Sequence, residues 1–368
     1  MNEKESRALV ERELSWPNPH LGRRTFLGGA AAAAAAVTTL TSSTADAKDA
    51  KDAKSLAAAP PEGFSPFNAP GKVVKVTKAG CLEANKMYPK ADDAKEMLTK
   101  ALTELTGKPD LVSAVKEFVH PDDVIVVKVN GIAQKQFATN KELVIPFVEA
   151  MVTAGMKPEN ITLLEQWHGY FAATRITAQN VPSGVKILTH SNGNATMAER
   201  PIPGTGGVKT QFTRYLTEAT ACINFALVKH HSICGYTGAM KNMTHGCSVN
   251  PEAFHAHHAS PQIALMYAQD VIKSRVRLNI ADAFKTMCEG GPLGKTPQFH
   301  KVYESVFAST DPVAIDAIGW EVIEKHRADF KLKPLVDQGQ EPYYIKIGQD
   351  LGLGIADRAR IQLKEFTV

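Results

Sequence analysis

The residues able to do chemistry crowd into one window of this chain. Six of its twelve histidines, His230, His231, His245, His255, His257 and His258, lie between positions 230 and 258. Cys234 and Cys247 share the window, which follows Lys229 and holds Lys241. Neutral imidazole and thiolate are the preferred ligands of zinc, copper and iron. His231, His245, His255, His257 and His258 are therefore candidate ligands of a divalent or redox metal ion, with Cys234 and Cys247 in reserve. No His-Glu-x-x-His occurs and the spacings match no standard zinc module, so the metal's identity is open. The plain alternative is that any one of these histidines is a hydrogen-bonded or surface residue. The five cysteines include no Cys-x-x-Cys, so no iron–sulfur cluster of the ferredoxin type is expected. Their odd number would leave at least one thiol unpaired or ligating in an oxidising compartment.

Cations accompany the histidines. Lys128 begins Lys128-Val129-Asn130-Gly131, Lys229 precedes His230-His231, and Lys241 precedes Asn242. On an extended strand Lys229 and His231 share one face and His230 takes the other. Lys241 and His245, four apart, share a helix face. Gly235 and Gly238 allow a tight turn and close backbone approach to a ligand. Lysines converging at strand ends would hold a carboxylate or phosphate. Lys128, Asn130 and Asn242 are accordingly expected to bind a small anionic molecule. Lys229 and Lys241 are expected to bind it or to carry protons, and Asp282 to ligate the metal or orient a histidine. A lysine serves as a base only with a depressed pKa. Asp311 and Pro312 read as the cap and first residue of a helix. Asp316 lies beyond its first turn and faces either the cleft or solvent.

These groups need a scaffold that gathers them. Short apolar strands are expected at 73–76, 124–129, 161–164, 185–188, 222–228, 276–280 and 302–308. Helices are expected at 93–106, 141–154, 261–274 and 312–326, with Gly107 and Gly155 closing the first two. The alternation predicts an α/β fold with a largely parallel, doubly wound (Rossmann-like) sheet and helices on both faces. In such sheets ligands sit beyond the carboxyl ends of the strands. Three strands end in polar clusters, at Lys128–Gly131, at Lys229–Ser232 and at Asp282.

The start of the chain has another purpose. Arg23-Arg24-Thr25-Phe26-Leu27 leads into an alanine run from Ala30 to Ala36, and Ala45-Asp46-Ala47 offers small residues to a signal peptidase. This reads as a twin-arginine export signal over 1–47, a flexible linker over 48–70, and one domain over 71–368. A membrane anchor needs about 20 strongly apolar residues, and this stretch is shorter and mostly alanine, so no permanent anchor is expected. The expected partners are the twin-arginine translocation machinery and signal peptidase, and the expected location is periplasmic or otherwise exported. A formal charge of +4 without dense Lys/Arg runs argues against nucleic acid as a partner.

Lys128-Val-Asn130, Val228-Lys-His-His-Ser232, Thr237-Gly-Ala-Met-Lys-Asn242, Ala281-Asp282, Gly290-Gly-Pro292 and Ser309-Thr-Asp-Pro-Val-Ala-Ile-Asp316 together resemble the family catalogued as domain of unknown function 362. The resemblance runs from about Val124 to His326 and implies the fold and the location of the site. Many members of that family carry a ferredoxin-like extension with cluster motifs; this chain has none. The leading expectation is an exported metal-binding enzyme, with oxidoreductase chemistry as one reading, acting on a small anion. The rivals are a non-catalytic envelope protein that binds a metal or anion, and a metal-independent isomerase or lyase with a lysine base.

Overall fold

Runs of branched apolar residues bounded by turn formers become the strands of a mixed sheet. The computed structural model describes residues 55–191, 200–202 and 209–368, with nothing stated of the side chains of Arg200, Pro201 and His257. The expected signal at 1–47, the first part of the expected linker and the side chain of His257 lie outside the described residues. The strands are β1 (Lys72–Thr77), β2 (Ile125–Lys128), β3 (Ile161–Glu165), β4 (Lys186–Thr189), β5 (Arg200–Pro201), β6 (Lys209–Thr210), β7 (Ala221–His231), β8 (Gly235–Thr237), β9 (Val276–Met287), β10 (His300–Ser309) and β11 (Gln362–Thr367). The helices are α1 (Ala91–Thr106), α2 (Leu111–Val115), α3 (Lys141–Thr153), α4 (His168–Ala173), α5 (Arg214–Thr217), α6 (Ala239–Thr244), α7 (Ser260–Tyr267), α8 (Asp270–Lys273), α9 (Pro312–Asp329) and α10 (Tyr344–Asp350).

The main sheet runs β11-β1-β10-β9-β7-β2-β3-β4, and β8 folds back on β7. Pairing is parallel from β9 through β7, β2 and β3 to β4. Within this sheet only β10, against β9 and β1, and the β7–β8 hairpin are antiparallel, and β5 and β6 form a separate antiparallel pair. Alternation along β7 sends Ile223 and Phe225 to one face and Cys222, Ala226 and Val228 to the other. The first face is covered by α1 and α3, through residues such as Leu98, Leu102, Phe147 and Val148. The second is covered by α6, α7, α9 and α10, through Met240, Ile263, Ile318 and Ile345. The expected α/β architecture, largely parallel with helices on both faces, is the one observed.

Local chemistry explains the element ends. Gly107 closes α1 in the left-handed region, its N–H bonding the Thr103 carbonyl, as such caps require. Asp311 caps α9 by accepting from the N–H groups of Val313 and Ala314. Its second oxygen accepts from Gly71 and Ile355, tying both ends of the domain to that cap.

Three differences from expectation matter. Strand β9 continues to Met287, because its antiparallel partner β10 keeps bonding it past Asp282, which stands opposite Val306. The helix expected at 261–274 breaks into α7 and α8. Order was expected to begin near Gly71, yet Leu56 and Ala58 already bond Asp270 and Ser274, and Phe67 bonds Glu117 and packs edge-on against Phe118. Composition alone read that segment as a linker because the partners that hold it come from distant parts of the chain.

All five cysteines are buried free thiols. Burial pushes Cys81 and Cys247 up to about 12 and Cys288 to about 11, so they stay protonated and unreactive at neutral pH. Thiol titration of the native protein should count close to none, and unfolding in denaturant should release five. Rapid reaction of even one thiol in the native state would contradict the packing described.

Candidate active site

The parallel strands β2, β3 and β7 end side by side, and a cavity of about 290 Å³ opens at their carboxyl ends. Its lining includes Lys128, Asn130 and Glu165 from these ends, and Lys229, His231 and Thr237 from the β7–β8 hairpin. Helix α6 and the turns after it add Lys241, Asn242, His245 and His255. Trp167, Tyr170, Ile132, Val249, Pro292 and Leu293 add to the wall, with Gln166 and Glu252.

One hydrogen-bonded chain organises this floor. The Lys229 amine donates to Asn130 Oδ1 (2.9 Å), and the Asn130 amide donates to Asn242 Oδ1 (3.0 Å). The Asn242 amide donates to Asn224 Oδ1 (2.7 Å), and the Asn224 amide to Asn279 Oδ1 (2.9 Å). Each amide accepts on the side toward Lys229 and donates away from it, so the dipoles align and stabilise positive charge at the amine. Burial works the other way. Lys229 is fully buried, and desolvation, with smaller repulsion from Lys241 and Lys128, lowers its pKa to about 7.

Lys128 is differently placed. Its ammonium pairs with Glu165 Oε2 at 2.6 Å and donates to the Val129 carbonyl. Glu165 also accepts from the Gly131 N–H (3.1 Å). Gly131 has to be glycine here, since a Cβ would stand 1.8 Å from the Tyr170 carbonyl. Lys128 thus braces the turn after β2, while its charge is already met by a carboxylate.

The histidines gather around Lys241. Its amine meets Nε2 of His231 and lies 3.3 Å from Nε2 of His255. The rings of His231 and His255 stack at 5.7 Å, and His245 stands edge-on to His255 at 4.8 Å. Burial first, then Lys241, holds all three imidazoles well below their usual range, so they are neutral. The Ile233 N–H donates to Nδ1 of His231. The proton of that neutral ring must then sit on Nε2, facing Lys241.

Helix α6 is held from behind. Asp316 on α9 accepts from the N–H groups of Ala239 (2.5 Å) and Met240 (3.0 Å), at the start of α6. Burial raises its pKa to about 7, against the lowering effect of those bonds. Asp316 therefore faces neither cleft nor solvent; it positions the helix that carries Lys241 and Asn242.

The structure brings together Lys128, Asn130, Lys229, His231, Lys241, Asn242, His245 and His255. It does not bring Asp282, His258, Cys234 or Cys247 into the lining. Asp282 lies mid-strand and accepts from the backbone and side-chain N–H groups of Asn140 (2.8 and 2.9 Å), with its pKa raised to about 6 by burial. It anchors the start of α3 and orients no histidine. His258 bonds the Ile233 carbonyl through Nδ1, Cys234 bonds the Tyr236 carbonyl, and Cys247 is a buried thiol. Nε2 of His245 bonds the Phe254 carbonyl, and the other two imidazoles address Lys241. Among the described residues no group of three or more His, Cys, Asp or Glu side chains is placed to hold a metal ion. His230 points to the opposite face, where it meets Gln340, Glu289 and the Gly291 N–H.

Sequence reading missed Glu165, Asn224, Thr237, Trp167 and Tyr170. Glu165 ends a parallel strand next to β2, so the carboxyl-end rule applied there would have found it. Thr237 sits between glycine-flanked turn residues, and only the hairpin register sets it opposite Lys229.

Fold and cavity define an α/β protein with buried amines and imidazoles at the carboxyl ends of a parallel sheet. The chain belongs to the family described as domain of unknown function (DUF362), whose model matches residues 125–321. Among solved structures it is similar to the lactate racemase apoprotein of Thermoanaerobacterium thermosaccharolyticum, at 12% identity and a TM-score of 0.40, over 68% of this chain and 57% of that one. A Thermotoga maritima protein solved by structural genomics is similar at 13% identity and a TM-score of 0.40, over 67% and 60%. The chain thus spans less than two thirds of the length of either structure. No curated protein matches it in sequence.

The buried amine has a measurable consequence. Lys229 has a pKa of about 7 in the folded protein against a reference of 10.5. Between those values the unfolded chain binds more protons, so stability rises with pH across that window and is lost as pH falls toward 7. Lys229→Met should therefore raise the unfolding free energy at pH 6 by on the order of 2 kcal/mol, with loss of the bond to Asn130 included. Urea melts at pH 6 and pH 9 check this, and a variant less stable than the parent at pH 6 would refute it.

Proposed function

We propose that this protein is an acid–base enzyme acting on a small anionic substrate, with Lys241 as the group that takes and returns a proton. The substrate class we favour is one with an acidic C–H beside a carbonyl, as in a 2-oxo acid, and the reaction is of isomerase or lyase type. One observation carries the reading: within the cavity the Lys241 amine meets Nε2 of His231, a neutral imidazole. A lysine serves as a base in its neutral form, and a general base needs both reach and a suitable pKa. His255, on the other side of the amine, can accept from the ammonium that forms. Lys229 supplies the cation that draws the substrate anion in.

Proton abstraction leaves a signature. Deuterium from D₂O should enter a responsive 2-oxo acid at the carbon beside the carbonyl, followed by proton NMR. Lys241→Met should slow this by about 10²–10⁴-fold, and exhaustive chelation should leave it intact. Exchange that survives Lys241→Met but disappears on chelation would overturn the proposal in favour of a metal-centred reaction.

We further propose export through the twin-arginine route, directed by Arg23 and Arg24. That route carries folded proteins, and the five buried thiols suit a chain that folds under reducing conditions before it meets oxidising ones. Replacing both arginines by lysine should keep the protein in the cytoplasm and leave its precursor unprocessed. Unchanged processing and location, read by fractionation and immunoblot, would sink this part.

A further inference from the structure

The cavity has two chemically distinct parts. In its buried part, Lys229 on β7 and Thr237 on β8 are directly opposed cross-strand partners. Opposed residues of an antiparallel pair project to the same side, with Cβ atoms about 5 Å apart. Both line the cavity. Thr237 is 5% exposed, and its shielded hydroxyl has no hydrogen-bond partner among the described residues. Native proteins rarely leave such a group unpaired, and an orphan beside a cation suits a ligand oxygen.

The less buried part of the lining carries the apolar groups Ile132, Trp167, Tyr170, Val249 and Leu293, beside the polar Gln166 and His255 and the exposed Glu252. Charge narrows the ligand further. Glu165 already neutralises Lys128 at 2.6 Å, and the Lys229 amine donates to a neutral amide oxygen. With Lys128 already paired and the exposed Glu252 adding negative charge to the lining, the Lys229 amine suits one carboxylate better than a dianionic phosphate. A volume of about 290 Å³ is at the small end of ligand pockets, which fits a compact acid and not a nucleotide.

We propose that the cavity takes a monocarboxylate bearing an aromatic or branched apolar group, its carboxylate held by Lys229 and Thr237 and its apolar group against Trp167 and Tyr170. The assignment rests on the acid–base reading and adds to it a division of labour. Lys229 anchors the substrate and Lys241 moves the proton. Thr237 becomes a substrate-binding residue, and Trp167 and Tyr170 become determinants of specificity.

The test is calorimetric titration of the full chain with 3-phenylpropanoate, propanoate and 3-phenylpropanamide. The phenyl acid should bind at least tenfold more tightly than either of the others. Equal affinity for propanoate would remove the apolar contact, and equal affinity for the amide would remove the carboxylate contact; either result overturns the assignment. These comparisons need no variant, so misfolding cannot obscure them. Thr237→Val keeps the side-chain shape and should weaken the phenyl acid about tenfold while leaving the amide unchanged. Unchanged binding of the acid in that variant, or equal loss of both ligands, would count against the Thr237 contact. Deuterium exchange is scored separately. Exchange without ligand preference sinks this assignment and spares the acid–base reading; preference without exchange does the opposite.

Discussion

Much of this molecule is arranged around the cost of keeping an amine out of water. Lys229 sits on the central strand β7, fully buried, and a lone buried ammonium is among the least tolerable groups in a protein interior. Two features make it tolerable. Burial lowers its pKa to about 7, so the neutral form is within reach. The four asparagines 130, 242, 224 and 279 then turn their oxygens toward it in sequence. That chain crosses from β2 to α6, β7 and β9, so the strand order and the site's electrostatics depend on one another. Exchanging any asparagine for a shorter or apolar residue would interrupt an aligned series, and would leave a buried polar group on either side without its partner.

Around Lys241 the same desolvation acts on imidazoles. Three imidazole rings, packed at ring distances of 4.8 and 5.7 Å, surround the Lys241 amine as one unit. The protein fixes the geometry of this unit from outside the cavity. Asp316 pins the start of α6, and Gly238 permits that approach, since a Cβ there would stand 2.0 Å from the Asp316 carboxylate. Behind the other face, Gly291 donates to His230 and its carbonyl accepts from Ser232, which holds the loop carrying Pro292 and Leu293 against the end of β7. The groups that line the cavity and those that hold them thus alternate along the same few segments.

Legibility in the sequence followed range of interaction. The parity of Lys229 and His231, the four-residue spacing of Lys241 and His245, and the Asp311–Pro312 helix start are local, and the structure has them as read. Asp282 misled because a polar residue after apolar ones resembles a strand end. Its strand in fact continues, supported by β10, whose register no local pattern contains. Lys128 read as a substrate cation because its partner Glu165 is 37 residues away. The clustered histidines read as candidate metal ligands from residue type and proximity alone, whereas the directions of their ring nitrogens are set by the tertiary structure.

By itself, then, the sequence determined the α/β class, the family, the carboxyl-end location of the cavity and eight of the residues that line it. These depend on periodicity, turn chemistry and motif, which act over a few residues at a time. Tertiary structure decided which amine is ion-paired, which is desolvated and which meets an imidazole. It also separated the residues that form the cavity from those that brace it. The reason is physical: pKa, hydrogen-bond direction and burial are properties of what surrounds a side chain, and here the surroundings come from strands brought together only by the order of the sheet.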